Sequence, residues 1–219
     1  MKKIKTVLFD LDGTLADTAP DLANALNHVL TQHDYQALAY DTIRPVVSHG
    51  GAALIKLGFG ESHPQFDTLY KELLEHYKSN IANKTTLFAG MAELLHYLHS
   101  NHYNWGVVTN KPAWLTQPLM DALQLTDQSV SIVSGDTLSE RKPHPAPLLH
   151  ACEQAGSAAD QCIYVGDAER DIEAGNRAGM HTVVALFGYI AQSDTPEKWN
   201  ADSLISQPQD LIPLLESLG

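Results

Sequence analysis

Cysteine is scarce in this sequence, with only Cys152 and Cys162 among 219 residues. The two do not have the spacing of metal-binding cysteines, and two cysteines cannot build the disulfide framework of a small secreted domain. We therefore expect both to be buried free thiols in a reducing compartment.

Long hydrophobic runs are also missing. The lysines at positions 2, 3 and 5 precede an apolar run that ends at Asp10, which is too short for a signal peptide. No stretch approaches the length of a membrane span. The sequence predicts a cytoplasmic protein that does not contact a membrane.

Positive charge is in short supply, because 14 lysines and arginines face 26 acidic residues and leave a net charge of −12. Such a chain is not expected to bind nucleic acid. If it acts on an anionic substrate, it must concentrate positive charge locally, from a metal ion, a few cationic side chains or helix N-termini.

The sequence is rich in short apolar runs that alternate with helical patterns. This alternation predicts an α/β fold, a Rossmann-like parallel sheet with helices on both faces. The runs lie at Ile4–Phe9, Trp105–Val108, Val130–Val133, Cys162–Val165, Thr182–Leu186 and Ser203–Ile205.

One region interrupts the alternation. Residues 17–82 carry helical patterns but no convincing strand. We interpret them as an all-helical cap domain inserted after the first strand, and residues 1–16 and 83–219 as the α/β core domain.

Polar residues follow four of the apolar runs. In an open parallel sheet, ligands bind outside the carboxyl ends of the strands, so these residues are expected at one edge. They are Asp10 and Asp12, Thr109 and Asn110, Lys142, and Asp167 with Asp171.

The types of these residues suit a phosphoryl group beside a metal ion. Asp10, Asp12 and Asp167 are hard oxygen ligands for Mg²⁺. Thr109 and Asn110 stand at the expected start of a helix, where backbone N–H groups favour an anion, and Lys142 is a cation suited to a phosphate oxygen.

Asp10 and Asp12 can address one substrate together, because residues i and i+2 of a strand point to the same side. One carboxylate can attack phosphorus. The other can protonate the leaving oxygen and later activate water.

These residues resemble the four motifs of the haloacid dehalogenase (HAD) superfamily phosphatases. The motifs correspond to Asp10-Leu11-Asp12-Gly13-Thr14, to Thr109 with Asn110, to Lys142, and to Gly166-Asp167-Ala168-Glu169-Arg170-Asp171. The resemblance implies that Asp10 is the nucleophile and Asp12 the general acid/base. It also implies Mg²⁺ held by Asp10, the backbone carbonyl of Asp12 and Asp167, with Asp171 in support.

Within the family, the chain is similar to phosphoglycolate phosphatases and to N-acetylmuramic acid 6-phosphate phosphatases, and the motifs do not separate these two. The resemblance implies a small phosphorylated metabolite as substrate, and the chain is expected to be a monomer or homodimer. A sugar-phosphate mutase and a receiver-like phosphoacceptor module remain alternatives. A dehalogenase would not need the acid that Asp12 supplies.

Selectivity is expected to come from the inserted helices. His49 and Gly50 lie in a loop that could reach the substrate, and Arg44 is a third candidate for substrate recognition. Lys111 is expected to be an exposed loop lysine.

Overall fold

The computed structural model describes residues 3–218. They form eight strands: β1 (Thr6–Phe9), β2 (Ala16–Asp17), β3 (Thr86–Leu87), β4 (Asn104–Val108), β5 (Ser131–Val133), β6 (Cys162–Gly166), β7 (His181–Ala185) and β8 (Ser203–Ile205). The described residues also form nine α-helices: α1 (Ala19–Gln32), α2 (Tyr40–Ile43), α3 (Gly51–Phe59), α4 (Phe66–Ser79), α5 (Met91–Ser100), α6 (Ala113–Ala122), α7 (Ala146–Gln154), α8 (Glu169–Ala178) and α9 (Leu211–Leu218).

Six strands pair in parallel in the order β5-β4-β1-β6-β7-β8. The strand β1 lies in the middle, with β4 on one side and β6 on the other. The predicted α/β fold is confirmed, and the six predicted strands are those of this sheet.

Helices cover both faces of the sheet. Successive side chains of β1 alternate between the faces: Val7 and Phe9 belong to a cluster with α5, α6 and α9, whereas Leu8 belongs to a cluster with α7 and α8. Every residue of β1 is buried for this reason. The carboxyl end of β1 is therefore the central point of the sheet edge.

The chain leaves the core after β2 and returns at β3, which pair with each other in antiparallel orientation. Helices α1 to α4 and a 3₁₀ helix at Arg44–His49 lie between them. These helices pack mainly around a hydrophobic cluster of their own. The exact division into a core and a cap domain stays a prediction, which this clustering favours.

Both cysteines are free and buried, as the sequence predicts. Among residues 3–218, none of the helices combines the length and the apolar character needed to cross a bilayer.

Candidate active site

The central strand ends bring the predicted site residues together. Asp10 follows β1, Thr109 follows β4 and Asp167 follows β6, and these three strands are neighbours in the sheet. Lys142 comes from the loop after β5, the next strand. All four side chains are buried.

Lys142 lies at the centre of this group, with 2% of its surface exposed. Its ammonium is 2.9 Å from Asp10 Oδ1 and 2.8 Å from Asp171 Oδ1. It also donates to the Val108 carbonyl at 2.9 Å and to the Tyr164 hydroxyl at 2.7 Å. An ammonium has only three N–H bonds for these four oxygens. Asp10 Oδ1 and Asp171 Oδ1 are ion-paired with it, but neither accepts a hydrogen bond from the described residues.

Asp10, Asp167 and Asp171 form a buried carboxylate cluster, in which one oxygen from each lies within 4.8 Å of the others. Burial, together with the neighbouring Asp10 and Asp171 carboxylates, raises the pKa of Asp167 to about 7. Three hard oxygen donors with excess negative charge fit a divalent cation.

Asp167 is held by three donors. The Thr14 hydroxyl donates to Oδ1 at 3.1 Å, and Oδ2 accepts the Ser48 hydroxyl at 2.6 Å and the Tyr189 N–H at 2.9 Å. Ser48 belongs to the inserted helices, so the insert contacts the carboxylate cluster directly.

Asp12 has a separate environment. Its Oδ1 accepts hydrogen bonds from Lys111 Nζ at 2.8 Å and from the Thr18 hydroxyl at 2.6 Å. Lys111 also donates to the Tyr77 hydroxyl at 3.0 Å. Burial alone would lower the pKa of Lys111, but Asp12 and Tyr77 outweigh burial and raise it.

The expectation for Lys111 is thus wrong. Its side chain is only 7% exposed, because Tyr77 of α4 and Asp12 enclose its ammonium. Tyr77 is 34 residues away in sequence, and no local pattern around Lys111 announces this partner.

Thr109 and Asn110 both line the cavity in front of Asp10. The Thr109 hydroxyl accepts the N–H of Lys111 at 3.2 Å. The Asn110 side chain, by contrast, binds the backbone of Lys142, accepting its N–H at 3.1 Å and donating to its carbonyl at 2.9 Å. The side chain that we expected to bind phosphate therefore fixes the loop that carries Lys142.

A cavity of about 520 Å³ opens between the sheet edge and the inserted helices. Asp10 and Asp12 are the only acidic residues among the described residues that line it. The other charged lining residues are Lys111, Arg141, Lys142 and Arg170. The cavity therefore supplies the local positive charge that an acidic chain needs to bind an anion.

The three predicted recognition residues differ in position. His49 and Gly50 line the cavity, and burial together with Arg170 lowers the pKa of His49. Arg44 is not among the lining residues. Its guanidinium donates to the carbonyls of Gly188 at 3.1 Å and Phe187 at 3.2 Å, so it anchors the insert to the loop after β7.

Ser48 and Arg170 also line the cavity, although neither is among the site residues that the sequence predicts. Arg170 donates to the Ser48 carbonyl at 2.6 Å. Burial opposes its charge, but the neighbouring Asp171 and Asp10 raise its pKa. A basic residue directly before Asp171 was the available signal for Arg170, whereas nothing in the sequence marks Ser48.

Comparison with known proteins shows the family. The model of the haloacid dehalogenase-like hydrolases matches residues 7–185. The chain belongs to the haloacid dehalogenase-like hydrolase family. The match includes all four motifs, and Asp10, Lys142 and Asp167 of this HAD-like chain occupy one sheet edge.

Curated HAD relatives with two different names are similar over nearly the whole chain. A phosphoglycolate phosphatase of Xanthomonas campestris pv. campestris (strain 8004) is 42% identical over 212 residues, covering 96% of this chain and 96% of the relative. An N-acetylmuramic acid 6-phosphate phosphatase of Pseudomonas aeruginosa is 37% identical over 216 residues, covering 98% and 96%. This HAD-like chain is a phosphoric monoester hydrolase.

A solved structure shares the architecture. The crystal structure of a predicted phosphoglycolate phosphatase from Haemophilus somnus 129pt superposes with a TM-score of 0.87 at 27% identity, covering 98% of this chain and 99% of that one. This HAD-like hydrolase therefore shares its overall fold, over nearly its whole length, with that structure.

Proposed function

We propose that the chain is a Mg²⁺-dependent phosphomonoesterase that hydrolyses a small phosphorylated metabolite through an aspartyl-phosphate on Asp10. One observation carries the proposal. The Asp10 carboxylate stands at the cavity floor beside Lys142, at 2.9 Å, and within the cluster that includes Asp167. A nucleophile, a fixed cation and a metal-type carboxylate cluster thus meet at one point.

The residues divide the reaction between them. An Asp10 oxygen forms a bond to phosphorus while the bond to the ester oxygen breaks, and Asp12 gives that oxygen its proton. Asp12 then takes a proton from a water molecule that attacks the acyl-phosphate. This step releases inorganic phosphate and restores both carboxyl groups.

Asp10, Asp167 and the backbone carbonyl of Asp12 would hold Mg²⁺, and Asp171 would support them through Lys142. When bound, the cation supplies charge neutralisation for the phosphoryl oxygens. Lys142 contributes a positive charge and the Thr109 hydroxyl a hydrogen-bond donor to the same phosphoryl oxygens. The inserted helices cover the cavity and limit the access of bulk water.

Asp10→Asn tests the nucleophile. We expect kcat to fall by at least about 10³-fold, since the covalent route is removed, while circular dichroism shows a folded chain. Asp127→Asn, at an exposed aspartate far along the chain, should retain full activity. Near-normal turnover by Asp10→Asn would contradict the proposal.

The relatives support two substrates. Phosphoglycolate is our first proposal, because a phosphoglycolate phosphatase is the relative with 42% identity. The cavity favours the second, N-acetylmuramic acid 6-phosphate, for which the relative with 37% identity is named. About 520 Å³ is a volume typical of drug-sized ligands, and a two-carbon acid fills much less of it.

A panel of phosphate esters with Mg²⁺ separates these candidates. It should contain 2-phosphoglycolate, N-acetylmuramic acid 6-phosphate and common sugar phosphates, compared by kcat/KM. Catalytic release of phosphate excludes a receiver-like module. A sugar bisphosphate intermediate with an isomerised product would favour a mutase instead. The cytoplasmic location and the monomeric or homodimeric state stay predictions.

A further inference from the structure

We propose that Lys111 is a positioning residue for Asp12, and that Tyr77 makes this positioning depend on the inserted helices. The proposal rests on the proposed function, in which Asp12 is the general acid and base. It assigns a role to a lysine outside the four motifs.

The hydrogen bonds at Asp12 are one-sided. Both donors, Lys111 Nζ at 2.8 Å and the Thr18 hydroxyl at 2.6 Å, engage Oδ1. Within residues 3–218, no side-chain donor engages Oδ2. Because two fixed donors hold one oxygen, the carboxylate cannot rotate freely, and its other oxygen is kept for the substrate.

The position of Lys111 is itself fixed from the inserted helices. Tyr77 is fully buried on α4, and its hydroxyl accepts a hydrogen bond from Lys111 Nζ at 3.0 Å. The ammonium also lies 4.5 Å from the centre of the Tyr77 ring, within the range of a cation–π contact. Lys111 therefore has three partners: a carboxylate, a hydroxyl and an aromatic ring.

The partners come from different parts of the chain. Lys111 belongs to the loop after β4, whereas Tyr77 belongs to α4 and Thr18 precedes α1. The set is complete only while α4 lies over the loop after β4. The acid is thus placed when the inserted helices cover the cavity, and its placement is lost if they move away.

Lys111→Met tests the role with two kinds of leaving group. We compare the best alkyl phosphate of the panel with 4-nitrophenyl phosphate, whose leaving group is a weak base that needs little protonation. We expect kcat for the alkyl ester to fall about 100-fold, the effect of displacing a catalytic group by about 1 Å. For the 4-nitrophenyl ester kcat should fall much less, and KM should change little for both esters.

Three further variants sharpen the test. Tyr77→Phe keeps the ring but removes the hydroxyl, and should show the same leaving-group pattern with a smaller loss. Lys111→Arg keeps a cation and should recover part of kcat. Lys71→Met, at an exposed lysine of α4, is the matched control and should change nothing.

A double-mutant cycle with Asp12→Asn gives the decisive result. If Lys111 acts through Asp12, then Lys111→Met adds almost no loss in the Asp12→Asn background. Additive losses would overturn the proposal, as would a raised KM with unchanged kcat or equal losses for both esters.

Failure of the proposed function gives a different pattern. In that case Asp12→Asn itself lowers kcat for both esters equally, which contradicts the acid role of Asp12 and with it the role of Lys111. If Asp12→Asn is selective for alkyl esters but Lys111→Met and Tyr77→Phe are not, the positioning proposal alone is overturned. Thermal melts of each variant show whether it is folded.

Discussion

Gly13 is packed against the carboxylate cluster in a backbone conformation that side chains rarely adopt, with φ at +89°. A Cβ atom at this position would overlap the Asp167 carboxylate and the Tyr189 ring. The residue after Asp12 therefore has to be glycine for two reasons, the backbone angle and the missing space.

Gly13→Ala should lower the free energy of unfolding by at least about 1–3 kcal/mol, the range for a strained backbone angle, plus the cost of moving Asp167. Urea denaturation measures the loss. Gly60→Ala is the matched control, because Gly60 has a φ of +92° and nothing within 4 Å of the added Cβ. Equal losses in the two variants would show that the contact with Asp167 is unimportant.

The raised pKa of Asp167 predicts an unusual pH dependence of the folding stability of the metal-free protein. This pKa is about 7 in the folded chain against the ordinary 3.8, so the folded state holds a proton that the unfolded state has lost. The contribution of Asp167 to stability therefore falls as pH rises from about 4 to about 7, and is constant above.

Melting temperatures in a chelator between pH 5 and pH 8 measure this effect. Asp167→Asn cannot titrate, so its advantage over the parent should grow with pH in this range. Added Mg²⁺ should stabilise the parent more at pH 8 than at pH 5, since its ligand must lose the proton first. A constant difference between the two proteins would contradict the assignment.

At the scale of single residues, the sequence indicates which residues gather at the sheet edge, but not which groups their side chains contact. Asp10, Lys142 and Asp167 were found because each follows an apolar strand of the same sheet. The burial of Lys111 could not be found, because its cause is Tyr77 on a distant helix. The contact of the Asn110 amide with the backbone of Lys142 could not be predicted either, because a backbone partner carries no sequence signal.

At the scale of elements, Asp21 joins the two ends of the inserted segment. It lies in the first turn of α1 and is buried. Its carboxylate accepts the N–H of Lys84 at 2.9 Å, and both the N–H and the hydroxyl of Thr85 at 2.8 Å. These residues directly precede β3, so one carboxylate fixes the returning chain against the departing helix.

Asp21→Ala should lower the free energy of unfolding by about 2–4 kcal/mol, because it leaves buried donors without a charged acceptor. Urea denaturation measures this loss. Asp67→Ala is the matched control, since Asp67 lies in the first turn of α4 but is exposed. It should cost at most about 1 kcal/mol, through the helix dipole. Similar losses would mean that the Asp21 bonds contribute little.

Elements were predictable where burial was complete. The strands of the sheet read as apolar runs because both faces are covered, and all four residues of β1 are buried. The pair β2–β3 has only two residues in each strand, too few for any periodic pattern. The sequence therefore indicated the helical insert, but not the short ladder that closes it.

At the scale of the whole molecule, the cavity lies between two separately packed parts, the α/β core with its sheet edge and the inserted helices. Ala52, in the first turn of α3, lines the cavity and is exposed to solvent. Ala52→Trp should narrow the space without disturbing the core. We expect KM for a bulky sugar phosphate to rise about 10-fold, with that of 2-phosphoglycolate nearly unchanged.

Steady-state kinetics on both esters checks this expectation, with Ala92→Trp, at an exposed position in the first turn of α5 and outside the cavity, as the control. A raised KM for both esters would mean that the indole blocks access rather than selecting by size.

The pairing of Ala16 with Leu87 and of Asp17 with Thr86 has a consequence for how such a protein can diverge. The inserted segment begins and ends at adjacent points, so its length does not affect how it joins the core. Helices can be lengthened, replaced or lost between these points without shifting any strand of the central sheet. The chemistry at the strand ends can thus be inherited unchanged while the covering segment is exchanged, and new substrates become accessible without a new enzyme.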